Sequence, residues 1–325
     1  MASSETLPPE LRVDGLWWRK FARLGSVYGP EWWKRYSPPV IAAIIFAMVG
    51  RNRRGAIANM RRVLGAQVPG AAPLAALRTF VEFANCMTET LEYFGPRPHP
   101  VQVDLPESDL VEKLVKDGRG LVVVTGHFGN WDLAAKRLLS YGRPVNVVMA
   151  REANASMHQY QQQLRESADI RIVFSDTSLF STLNLVHALR NNEVVAMQLD
   201  RTPPQARTVE VPFFGAPARF AAGPFHLARV ARSPLISAFA VRLGARHYEI
   251  RLGSAYDVPQ WARGKRLASV AETAVADFEA IVREFPFQWF QFSDFWEGQP
   301  LTPAPQRLRR EPDRPDDLAD RSRAR

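Results

Sequence analysis

The run Leu121-Val122-Val123-Val124-Thr125 constrains this chain more than any other segment. It is apolar and β-branched without alternation, the pattern of a strand buried on both faces. Such a strand needs neighbours on either side and helices above and below. The flanking sequence supplies them. Residues 145–149, 170–174 and 194–199 read as further buried strands, and 153–166 and 179–190 as helices between them. Residues 74–93 and 110–117 read as helices and 101–104 as a short strand. Beyond the alternating region come a loop or short ribbon over 211–220, a helix over 223–232, strands over 235–242 and 248–252, and a long helix over 267–284. The fold class is α/β, with a mainly parallel central sheet covered by helices.

The N-terminal part has a different character. Residues 1–14 lack the basic stretch and following apolar stretch of a signal peptide. Trp17, Trp18, Trp32 and Trp33 then lie among basic residues, and Pro38-Pro39 opens an apolar run over 40–49 that Arg51, Arg53 and Arg54 close. That run is shorter than the ~20 apolar residues that span a bilayer. Trp prefers the headgroup level, and Arg attracts anionic headgroups. Two readings compete: a helix lying in one leaflet, and an ordinary buried helix with solvated flanks. Four tryptophans beside a basic cluster favour the first. Residues 1–60 are thus expected to form membrane-associated helices, 61–298 the α/β domain, and the Pro-, Arg- and Asp-rich residues 299–325 a disordered tail.

Charge agrees with this division. Lys+Arg number 42 against 33 Asp+Glu, a formal net charge of +9, which calls for an anionic partner. The basic residues cluster with tryptophans rather than in a nucleic-acid recognition motif, so an anionic membrane surface is expected and nucleic acid is not. One cysteine, Cys86, cannot form an internal disulfide or a zinc finger, and its apolar neighbours place it in the core.

One chemical constellation stands out, Gly126-His127-Phe128-Gly129-Asn130-Trp131-Asp132. It lies where a buried parallel strand ends and a helix begins, the place where open α/β sheets bind ligands. An imidazole there serves as a general base near neutral pH, and Asp132, five residues on, is placed to hold its other ring nitrogen. The helix N-terminus offers backbone N–H groups to a developing oxyanion or a phosphate. The plainer alternative is a histidine that only caps the helix. No Gly-x-Ser-x-Gly elbow, Walker loop, dinucleotide fingerprint or His-x-x-x-His metal pair occurs. No metal site or bound cofactor is expected, and a base without a protein nucleophile points to direct activation of a substrate hydroxyl.

This motif resembles the catalytic motif of the bacterial lipid A biosynthesis lauroyl/myristoyl acyltransferase family, part of the wider His-x4-Asp glycerolipid acyltransferases. Other segments agree in order: Arg54, Asn59 and Met60-Arg61-Arg62-Val63-Leu64; Arg151 with Asn154; Asp200-Arg201; Val211-Pro212-Phe213-Phe214-Gly215; Leu227-Ala228 and Pro234; Pro286 with Gln288-Trp289. The resemblance implies an acyltransferase domain over 61–298. Its activity would be transfer of a fatty acyl chain from acyl-carrier protein or acyl-CoA to a lipid hydroxyl, on the cytoplasmic face of the inner membrane. It implies His127 as base, Asp132 as its orienting carboxylate, and Asp200 at the pocket floor or assisting His127. Arg151 would bind a phosphate or carboxylate. Asn130, Arg201, Phe213, Phe214, Gly215 and Arg219 would meet substrate. For Arg151 and Asp200 a surface charge at a strand end is an equal alternative, and for the paired phenylalanines core packing is the commoner fate.

The sequence departs from the best-known lipid A enzymes after the last helix. Trp289-Phe290-Gln291-Phe292-Ser293-Asp294-Phe295-Trp296 stands where they resemble Trp-x-x-His-x-Arg-Arg. The basic pair suited to a diphosphorylated disaccharide is absent. Acceptors such as phosphatidylinositol mannosides, ornithine-type lipids or polyene lipids stay open, and an acyl thioesterase or a non-catalytic peripheral membrane protein on the same scaffold are the competing functions.

Overall fold

The strand predicted from Leu121–Thr125, β2, lies in the middle of a seven-stranded sheet. The computed structural model describes residues 24–65, 70–95, 98–149, 170–174, 179–202 and 206–297. Trp17, Trp18, Arg151, Asn154, the helix expected over 153–166 and the tail from 299 lie outside them. The remaining strands are β1 (Gln102–Asp104), β3 (Val145–Met149), β4 (Ile170–Phe174), β5 (Val194–Gln198), β6 (Thr208–Phe213), β7 (Ala216–Ala221), β8 (Pro234–Gly244) and β9 (His247–Asp257). Sheet order is β1-β9-β8-β2-β5-β3-β4. Every pairing in it is parallel except the hairpin β8–β9. The chain leaves β2, skips the adjacent place and enters β3; β5 later fills the gap and becomes the parallel neighbour of β2.

The two faces of β2 have different covers. Val122 and Val124 join Phe128 in a core with α6 (Leu179–Arg190), α7 (Gly223–Ala231) and α8 (Lys265–Glu284). Leu121 and Val123 face α4 (Ser108–Lys116) and α5 (Trp131–Leu138). Helices on both sides explain why β2 carries no polar residue at 121–124. The expected ribbon over 211–220 is a separate hairpin, β6–β7, whose two loop residues Phe214 and Gly215 have φ of +48° and +74°. Of the primed two-residue hairpin loops, type I′ requires positive φ at both positions.

Three helices precede the sheet: α1 (Glu31–Met48), α2 (Gly50–Leu64) and α3 (Ala71–Tyr93). α2 crosses residue 60, so the N-terminal segment and the α/β domain share a helix. Pro38 and Pro39, which precede the apolar run, both lie inside α1. Each removes an N–H from the ladder. The helix persists because its inner side is pinned on both sides of the break. Pro38 and Ala42 are buried, and Ile45 and Phe46 pack on the core of α2 and α3.

Ion pairs fasten its first turn. Buried Glu92 of α3 takes Arg246 Nε at 3.0 Å and Lys34 Nζ at 3.4 Å, while Glu31 takes Arg246 Nη2 at 2.9 Å. Glu92→Ala leaves Lys34 and Arg246 short of a buried counter-charge. It is expected to destabilise the protein by about 3 kcal/mol in urea unfolding.

Candidate active site

β2 and β5 run in parallel with Thr125 opposite Gln198. Continuing that register two residues past both strand ends brings residue 127 opposite residue 200. There His127 Nδ1 lies 2.8 Å from Asp200 Oδ1. A carboxylate only accepts, so Nδ1 carries a proton, and in the neutral imidazole Nε2 then keeps the lone pair. The backbone N–H of His127 donates to the same carboxylate at 2.9 and 3.1 Å, and the Trp289 indole N–H donates to Oδ2 at 2.9 Å. Burial pushes the Asp200 carboxyl upward. The neighbouring His127, Arg201 and the indole N–H outweigh burial and hold it below the usual carboxylate range.

The ring nitrogen that the His-x4-Asp spacing gives to Asp132 is therefore held by Asp200. The reason is local. Residues 126–130 do not coil into α5 at once: Phe128 bridges Trp289 and Gly129 bridges Ala240. The extended chain carries His127 onward along the line of β2, beside the end of β5. Two glycines permit this path. A Cβ at Gly126 would lie 2.3 Å from the Phe278 ring, and Gly129 has φ of +54° with its Cβ position 1.7 Å from the Ala240 carbonyl oxygen.

Asp132 stands in the first turn of α5 at the head of an apolar crevice. The crevice runs between the sheet and α4 and α5. Leu105, Val111, Leu121, Val123, Leu138, Ile236, Ala238 and Ile250 line it. Its polar lining residues Thr125, Gln198 and Asp132 come from the C-terminal ends of β2 and β5 and the start of α5. The polar end thus adjoins the His127 loop. Trp131 borders both, with its ring 5.4 Å from the imidazole in an edge-to-face contact.

The other sequence-derived candidates separate. Asn130 is buried and caps α5. Its Oδ1 accepts from Leu133 N at 3.3 Å and Thr90 Oγ1 at 3.1 Å, and its Nδ2 donates to the Cys86 carbonyl and Tyr248 Oη. Tyr248 in turn donates to Glu89, which pairs with Arg242 at 2.8 Å. Cys86 packs in the core as expected, and burial pushes its thiol up to about 12.

Phe213 is fully buried on the opposite side of the sheet from the crevice, stacked between Phe278 and Trp296 at 5.5 Å from each. It is a core residue and does not line the crevice. Phe214 donates its N–H to Glu279 and lies under the Arg283 guanidinium, and Gly215 completes the turn. Arg219 is exposed on β7, 3.7 Å from Glu210. Arg201 donates from Nη2 to the Phe290 carbonyl at 2.7 Å, so it braces the segment after α8. Arg53 caps the end of α1 through the Phe46 and Ala47 carbonyls, Arg51, Arg54 and Trp32 are exposed, and Trp33 is half-buried.

Sequence reasoning gave no role to Trp289, Gln288 or Asn59. Gln288 accepts Gly129 N–H at its carbonyl and bonds both Arg242 N and O through its side chain. The Gln288-Trp289 pair was visible as a motif, but no spacing relates it to His127.

With this geometry in hand, likeness to known proteins becomes informative. Residues 25–297 match the family model for bacterial lipid A biosynthesis acyltransferase. Among curated proteins the chain is similar to a phosphatidylinositol mannoside acyltransferase of Mycobacterium tuberculosis (strain ATCC 25618 / H37Rv), 31% identical over 52% of this chain and 55% of that protein. A protein of the same name from Mycolicibacterium smegmatis is 28% identical over 39% of this chain and 42% of its own. The chain spans about half the length of the curated relatives it matches.

Proposed function

Because this chain belongs to the bacterial lipid A biosynthesis acyltransferase family, we propose that it moves a fatty acyl chain from a thioester, of acyl-carrier protein or coenzyme A, to a hydroxyl of a membrane glycolipid. The observation that carries the reading is the His127–Asp200 pair beside the polar end of an otherwise apolar crevice. His127 Nε2 takes the proton of the acceptor hydroxyl, and the oxygen attacks the thioester carbonyl. Nδ1–H donates to Asp200 throughout, which fixes the tautomer and stabilises the imidazolium. The tetrahedral oxyanion forms near the positive end of α5. It collapses with loss of the thiolate, which takes the proton back from His127. The acyl chain occupies the crevice, where transfer of methylenes from water gives affinity without a directed bond. Asp132, at the head of the crevice, borders the reacting carbonyl.

The acceptor reading rests on the named relatives and on the absent basic pair. Both favour a glycosylated phospholipid of the phosphatidylinositol mannoside kind over a diphosphorylated disaccharide. Incubation of the protein with labelled acyl-CoA or acyl-carrier protein and phosphatidylinositol mannosides is expected to give labelled lipid. Label found only as free fatty acid would mean hydrolysis and overturn the transferase reading.

The substrate and acceptor reach the site at an anionic leaflet, on the cytoplasmic face of the membrane. No helix among the described residues is long and apolar enough to cross a membrane. Support for a surface-lying helix comes from α1. Trp32, Tyr36, Val40, Ile44 and Met48 recur every four residues and are all more than half exposed. Exposed Arg35, Arg51, Arg54 and Arg61 accompany them on α1 and α2. An apolar stripe with basic company is the pattern of a helix lying in a headgroup layer. Changing Trp32, Tyr36 and Ile44 together to serine is expected to weaken sedimentation with phosphatidylglycerol vesicles by about a hundredfold, at roughly 1 kcal/mol for each partly buried side chain. Unchanged binding would refute the anchor.

A further inference from the structure

The segment after α8, residues 289–296, is a strap that touches both halves of the His127–Asp200 pair. Phe290 N–H donates to the His127 carbonyl at 2.7 Å. Gln291 Nε2 reaches the Asp200 carbonyl at 3.3 Å. The Trp289 indole takes Asp200 Oδ2, so the two carboxylate oxygens are divided between the imidazole and the indole. The strap's other edge is clamped by fully buried Asn59. Its Nδ2 donates to the Gln291 and Ser293 carbonyls at 2.9 and 2.8 Å, and its Oδ1 accepts from Phe295 N at 2.9 Å. One turn earlier Gly55 lets the strap backbone close in; a Cβ there would lie 2.5 Å from the Phe292 oxygen.

We propose that Trp289 is a positioning residue for the general base, fixing the Asp200 carboxylate in the plane that serves His127, and that Asn59 of α2 holds Trp289 there through the strap. The inference rests on the base role of His127 argued above. Core filling alone does not account for the arrangement. Trp289 sits among Phe213, Phe278, Phe295 and Trp296, yet the indole N–H of buried Trp296 in the same cluster has no hydrogen-bond partner among the described residues. The cluster accommodates an indole without giving its N–H a partner. The N–H of Trp289 is directed at a carboxylate whose other oxygen faces the imidazole. Without that bond, Asp200 Oδ2 keeps only the His127 backbone N–H at 3.1 Å, so the carboxylate is held less firmly in plane and becomes a more basic partner for His127. Among the described residues the charged groups acting on Asp200 are His127 and Arg201; Asp132 is a further carboxylate at the start of α5.

The test uses the full chain on anionic vesicles, with rates measured between about pH 5 and 8, where an imidazole titrates. Trp289→Phe is expected to lower kcat by roughly ten- to a hundredfold, the range known for outer-shell hydrogen-bond partners of histidines at metal sites. KM for the acyl donor stays unchanged, and the acid limb of the profile moves to higher pH. Asn59→Asp sets a carboxylate against two carbonyls. It should move kcat and the acid limb the same way, with faster amide exchange over residues 289–296. A folded Trp289→Phe protein with unchanged kcat and acid limb overturns the proposal, as does an Asn59→Asp strap that exchanges faster while both stay put. If Trp289→Phe melts non-cooperatively, benzothienylalanine at that position, with sulfur in place of N–H and the ring shape kept, gives the same reading. His127→Ala is run beside them. Turnover that survives it defeats the base role itself, whereas its loss together with a normal Trp289→Phe enzyme defeats only the positioning role.

Discussion

His127→Ala is expected to reduce acyl transfer by about 10³-fold, inside the ~10²–10⁴ that general-base help contributes. The reduction should fall on kcat. The imidazole meets the reacting hydroxyl, while the acyl chain is held by the crevice walls, which the substitution leaves alone. The fold should survive, because the main-chain bonds of His127 to Asp200 and Phe290 need no side chain. What is lost is one charge-assisted hydrogen bond, worth up to about 3 kcal/mol. Steady-state rates with labelled acyl donor and glycolipid, a donor titration and a thermal melt together check this. A variant turning over within about tenfold of the parent enzyme would sink the base assignment.

The histidine itself is legible from sequence, and its partner is much less so. Leu121–Thr125, Val145–Met149 and Ile170–Phe174 appear in the structure with the limits their residue pattern implies, because each is rich in β-branched residues; of the three, Leu121–Thr125 has the unbroken apolar run of a strand buried on both faces, whereas Ile170–Phe174 is an edge strand with Arg171 exposed. Asn130 reads as a cap and caps α5, since capping is decided within four residues. Asp200 is 73 residues from His127. Their meeting depends on β5 inserting beside β2, a fact of strand order on which alternating strands and helices are silent. The His-x4-Asp spacing offers a nearer carboxylate, but the extended bridges of Phe128 and Gly129 carry the histidine away from it. Phe213 fails as a groove residue for a related reason: a strand's period says which side chains share a face, not which face holds the crevice. Where α1 begins is not legible from the apolar run over 40–49, because local propensity counts the N–H groups lost at Pro38 and Pro39 and not the ion pairs at Glu92 that keep the helix in place.

Asp200→Asn separates the two carboxylates, and a loss of about 10⁴-fold is expected, as when the orienting aspartate of a serine-protease triad is made neutral. The mechanism is a change of tautomer. Asp200 accepts three N–H groups: the His127 backbone, His127 Nδ1 and the Trp289 indole. An asparagine has one oxygen for acceptance. With it turned to the indole and the backbone, its NH₂ faces Nδ1, which then serves as acceptor and sends the proton to Nε2. The nitrogen that should take the acceptor proton is thereby blocked. Asp132→Asn leaves this arrangement intact, so it should cost far less through the base. Near-normal activity of Asp200→Asn beside an inactive Asp132→Asn would return the orienting role to Asp132. Stability gives an independent check with a definite sign. The folded carboxyl of Asp200 lies below its ordinary value. Its contribution is therefore fully present above the unfolded value, about 3.9, and is lost as pH falls through the lower folded value. The difference in unfolding free energy between the parent protein and Asp200→Asn should be largest near neutrality and shrink below about pH 4. A gap that widens on acidification would show that His127 and Trp289 do not favour the charged form of this carboxylate.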